Sequence, residues 1–85
     1  MKVLRGVLER TYAGDTLGRV VAEIKVEMEN TTPKPFTIRA VAVKNEDNWN
    51  IRVETDIMSF DYNDLREITK LIRMVVRRVK REIGQ

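Results

Sequence analysis

Leu65, Ile68, Leu71, Ile72, Val75, Val79 and Ile83 recur at spacings of three and four, and this stripe constrains the chain most. It predicts one long helix with a single apolar side. Asp61 and Asn63 supply N-cap oxygens, and Asp64 and Glu67 put negative charge at the start, where the helix dipole favours it. With 85 residues in all, the remainder of the chain has to provide the surface this stripe covers. That remainder contains a second clear pattern: Trp49, Ile51, Val53, Thr55 and Ile57 alternate with Asn50, Arg52, Glu54 and Asp56. A period of two predicts a strand with one face on a core and one toward water. Residues 2–12 read as an opening strand and Phe36–Lys44 as another, which the polar turn Asn45-Glu46-Asp47-Asn48 joins to its successor as an antiparallel hairpin. Trp49 shares the inward phase of Ile51 and Val53, which predicts a core residue rather than a stacking platform.

Residues 15–29 fit two periods. As a helix capped at Asp15 or Thr16, the segment aligns Leu17, Val20, Val21, Ile24 and Met28 and misplaces only Val26. As a strand, Ala22, Ile24, Val26 and Met28 alternate with Glu23, Lys25, Glu27 and Glu29. The first choice gives an α+β domain of order strand–helix–strand–strand–helix, with two helices on a three-stranded antiparallel sheet. The second gives a four-strand meander closed by one helix.

Composition removes most chemistry. The chain has no Cys and no His, and Ser59 is its only serine. A usual zinc site, a thiol nucleophile, a disulfide and a Ser-His-Asp triad are therefore excluded, and neither catalysis nor a cofactor is expected. Four glycines, Gly6, Gly14, Gly18 and Gly84, form no phosphate loop. Apolar runs are too short for a membrane span, and the charged start lacks a signal-peptide core, so a cytoplasmic location is expected. A single Gln with abundant Glu, Lys, Arg and Val is the composition of a heat-adapted protein.

The net charge of +3 is localised: residues 1–63 hold nine Lys/Arg against ten Asp/Glu, and residues 64–85 hold seven against three. On the predicted helix, Arg66, Lys70, Arg73, Arg77, Lys80 and Arg81 share one face beside the apolar stripe. Helix-dipole complementarity accounts for Arg77, Arg78, Lys80 and Arg81 but not for Arg66 near the N-terminus. A row of cations at this spacing is a candidate contact for nucleic acid or an acidic partner. Phe36–Lys44 is apolar in both phases, with Ile38, Ala40 and Ala42 in one and Val41 and Val43 in the other, so its second face is expected to be covered. Ile38, Val41 and Val43, together with Leu71, Val75 and Val79 from the far end of the stripe, are the candidate partner interface.

The opening strand, a helix from Asp15, the break at Pro33 and Pro35, the hairpin and an Asp61-x-x-x-Leu65-Arg66 step into the terminal helix resemble the small dimerising subunit of KEOPS. KEOPS is the complex that helps make threonylcarbamoyladenosine in tRNA. Lys70 replaces an Asn usual in that family, and the hairpin exit through Ile57-Met58-Ser59-Phe60 is longer, so the likeness is to a divergent archaeal paralogue. The resemblance implies a noncatalytic accessory subunit that pairs with a related small subunit, or with itself, and adds basic surface for tRNA. The alternative from the residues alone is a dimeric single-strand nucleic-acid binder built on a four-strand sheet and one helix. No GxxG clamp and no aromatic ribonucleoprotein motif is present. The state of residues 15–29 separates the two.

Overall fold

The computed structural model describes residues 1–85. Residues 15–29 do not form a helix. They carry strand β2 (Thr16–Glu27), which follows β1 (Lys2–Ala13) through a tight turn at Gly14 and Asp15. Gly14 has φ +63°, a conformation that costs a side chain at Cβ and that glycine adopts freely. Further elements are the two-residue strand β3 (Thr31–Thr32), β4 (Phe36–Asn45), β5 (Asn48–Thr55), the two-residue strand β6 (Ser59–Phe60), a 3₁₀ turn (Tyr62–Asp64) and helix α1 (Leu65–Glu82). The main sheet is antiparallel with order β1-β2-β4-β5, and β3 pairs with β6 in a separate two-stranded ribbon.

The three-stranded, two-helix architecture is thereby corrected to four strands and one helix. Val26, the residue a helical reading misplaces, is fully buried opposite Phe36. Val20, Ala22, Ile24 and Val26 all fall on the core face of β2, a set only a period of two can assemble. The β-branched run Val20, Val21, Ile24 and Val26 also loses less on a pleated surface than in a helix. Eight residues of β2 pair in unbroken register with β4, from Arg19↔Val43 to Val26↔Phe36, so the strand gains a partner that a helix would leave unpaired.

The predicted hairpin forms over residues 36–55, ending before Ile57, and the expected four-residue turn shortens to Glu46-Asp47 with Asn45 paired opposite Asn48. Its core face and that of β2 meet Ile68, Leu71, Val75 and Val79 of α1, and Trp49 and Ile51 pack at the margin. At the helix entrance Asn63 N–H donates to Asp61 Oδ1 at 2.8 Å. The axis of α1 lies over β2 and β4. Both outer strands are therefore only partly covered, and the molecule has two different flanks.

The opposite face of the sheet carries no helix. Arg5, Glu23, Arg39, Glu54 and Arg52 form a chain of ion pairs across all four strands, with N···O distances of 3.9, 3.9, 2.7 and 3.1 Å. Thr31, on β3, is buried and its Oγ1 has no hydrogen-bond partner. Replacing that hydroxyl by a methyl keeps the shape and removes an unmet polar group. Thr31→Val is expected to raise stability by about 1 kcal/mol, read as a higher urea midpoint at constant slope.

Candidate nucleic-acid interface

A groove of about 880 Å³ runs between α1 and the edge strand β1. Its apolar members are Leu8 and Met74, and the rest is Arg10, Lys70, Arg73, Arg77, Arg78, Arg81 and Glu82. The reason is local to each element. On β1, Leu8 packs against the core, and Arg10 two residues on keeps the same phase, so its side chain rises on the helix side of the sheet. On α1, burial of Leu71 and Val75 turns Met74 and Arg78 toward β1 and places Lys70, Arg73, Arg77 and Arg81 along the outer lip.

The sole carboxylate in the groove is already neutralised. Arg10 Nε donates to Glu82 Oε2 at 2.7 Å, linking the first strand to the last helical turn. That hydrogen bond holds the Glu82 carboxyl below the usual carboxylate range and raises Arg10 in return. With a depressed carboxyl pKa, the ion pair is fully formed above the ordinary glutamate value and disappears as pH falls through the lowered one. Lys70 Nζ lies 4.0 Å from Glu67 Oε1, whereas Arg66, Arg73, Arg77, Arg78, Lys80 and Arg81 make no ion pair.

Of the six cations predicted from the sequence, Lys70, Arg73, Arg77 and Arg81 line the groove together. Arg66 and Lys80 are exposed on α1 but are not part of its lining. Arg10 and Arg78 line it too, and neither is among the predicted contacts. The one signal for Arg10 in the sequence is a cation on the inward phase of an edge strand, next to Leu8 in that phase.

The predicted partner interface is distributed differently. Ile38, Leu71, Val75 and Val79 are buried in the chain's own core, because α1 sits directly on β4. Val41 is equally buried, on the opposite face, with Val21 and Arg52 as its cross-strand neighbours. Only Val43 retains partial exposure. The two apolar phases of β4 are thus covered within one chain, since β4 is a central strand flanked on both sides.

No helix is long and apolar enough to cross a membrane. Comparison with family models, curated proteins and solved structures gives no match.

Proposed function

We propose that this chain binds single-stranded nucleic acid, with the phosphate backbone lying in the groove between α1 and β1. The observation that carries this reading is the lining: six cations on two elements face one trough, and its single carboxylate is tied to Arg10. A row of guanidinium groups with Lys70 among them matches phosphate oxygens in charge and hydrogen-bonding capacity. Leu8 and Met74 give the trough an apolar component for bases. Tyr12, exposed on β1 two residues beyond Arg10, adds a ring for stacking at one end. The assembly role implied by the KEOPS resemblance draws on a two-helix fold, and β2 removes that support.

The test is fluorescence anisotropy with labelled oligo(dT) and oligo(U) and with a duplex of equal length. Affinity for the single strands should exceed that for the duplex. With five phosphates engaged, it should fall about 100-fold between about 50 and about 200 mM salt, at a slope near 0.7 per phosphate. Affinity insensitive to salt, or preference for the duplex, contradicts the reading.

Glu82→Gln provides a gain-of-binding check. It frees Arg10 and adds one positive charge to the groove, so affinity for oligo(dT) should rise about fivefold at about 0.1 M salt and the slope should steepen by about 0.7.

A further inference from the structure

The flank opposite the groove is apolar and half-covered. Val53 on β5 is 41% exposed and Leu65 on α1 is 44% exposed, while Ile51, Ile72 and Val76 are half-buried against the core. On the helical wheel, Leu65, Ile72 and Val76 lie on the side away from Met74 and Arg78, hence toward β5. β5 is also an open edge. Its register with β4 is unbroken from Thr55 to Asn48, whereas β1 is interrupted between Val3 and Arg5. A bulge blunts an edge against pairing, and β5 has none.

The two-residue turn fixes which backbone groups of β5 are free. Asn48, Asn50, Arg52 and Glu54 exchange hydrogen bonds with β4, so the N–H and C=O groups of Trp49, Ile51, Val53 and Thr55 point outward. An antiparallel twofold centred on Val53 pairs these outward groups. It also sets Arg52 against the partner's Glu54 twice, once on each side of the axis, and Val53 against the partner's Val53. Moving the centre to Thr55 opposes Glu54 to the partner's Asp56, two like charges, and moving it to Ile51 opposes both charged residues to asparagines. The strand is self-complementary in one register.

We propose that the chain forms a twofold dimer through β5, centred on Val53, with Arg52 and the partner's Glu54 as paired charges in a continuous eight-stranded sheet. This goes beyond the nucleic-acid reading, because none of these residues lines the groove.

Sedimentation of the full chain and of two charge reversals tests it. The wild type should sediment as a dimer. Arg52→Glu and Glu54→Arg should each dissociate more readily by about tenfold or more, since both cross-strand pairs turn repulsive. An equimolar mixture of the two variants should recover a dimer, because each then meets its opposite charge at both positions. A monomeric wild type at about 100 µM, a concentration far above a micromolar dissociation constant, overturns the proposal. So does a dimer unaffected by Arg52→Glu, or a mixture no tighter than its components. Because Glu54 also pairs with Arg39, the variants are checked by circular dichroism, and Val53→Cys gives a reading independent of charge. In a chain with no other cysteine it should yield a disulfide-linked dimer under mild oxidation, while Lys25→Cys should not. Failure of Val53→Cys to cross-link overturns the proposal. Oligo(dT) binding measured on the monomeric variants separates loss of the dimer from loss of the groove.

Discussion

Arg73→Glu combined with Arg77→Glu is expected to weaken oligo(dT) binding by at least 25-fold at about 0.1 M salt. Removing one cation from the phosphate backbone costs about fivefold there, and reversal adds repulsion to that cost. The salt slope should fall by about 1.4 at the same time, two phosphates at about 0.7 each. Both side chains are exposed and make no ion pair, so the change in folding stability should stay within about 0.5 kcal/mol. Arg66→Glu is the matched control. It carries the same charge change on the same helix but outside the groove lining, and should leave the slope nearly unaltered. Equal losses from Arg66→Glu and from the double variant would place the binding surface on the outer side of α1 instead.

The largest effect on folding is expected from Phe36→Ala. Phe36 is fully buried at the start of β4, opposite Val26, and is the largest of the fully buried side chains. Its truncation strips apolar packing from the core and leaves a cavity closed in by backbone pairing, which costs about 3–5 kcal/mol. A domain of this size has a total stability of roughly 5–15 kcal/mol, so the variant should melt lower by roughly 12–40 °C. A loss below about 1 kcal/mol in urea, with unchanged slope, would show that the sheet and helix close over the gap.

The parts of the fold legible in the sequence are those where one period acts alone. The stripe from Leu65 to Ile83 and the alternation from Trp49 to Ile57 each match a single kind of element, and the helix forms over Leu65–Glu82 and the strand over Asn48–Thr55, two residues short of Ile57. Residues 15–29 satisfy both periods because Val20, Ile24 and Met28 are four apart and also of one parity. Leu17 and Val21 fit only the helical stripe, and Ala22 and Val26 only the strand alternation, so the local pattern does not choose between them. What decides the segment is pairing with β4, a nonlocal contribution that periodicity does not contain. The site divides in the same way. Lys70, Arg73, Arg77 and Arg81 are related by helical spacing, and that spacing alone is enough to group them. Arg10 stands 72 residues from Glu82 and joins them only because β1 is an edge strand beside the final helical turn. For the apolar face, the expectation fails on what does the covering. Both phases of β4 are indeed apolar, but the strand that shields Val41 is β2, the segment whose period is ambiguous, and not a second chain.

The ion-pair chain from Arg5 to Arg52 governs how the molecule can stack. Any partner laid flat on that face would have to dehydrate five charged side chains, at several kcal/mol for each ion, for little apolar contact in return. Contact is therefore directed to the rim, and of the two rim strands the one with the bulge resists pairing. In the proposed dimer, growth of the sheet is confined to one plane and one direction and ends when two copies meet, so a long exposed sheet would not propagate into a fibre.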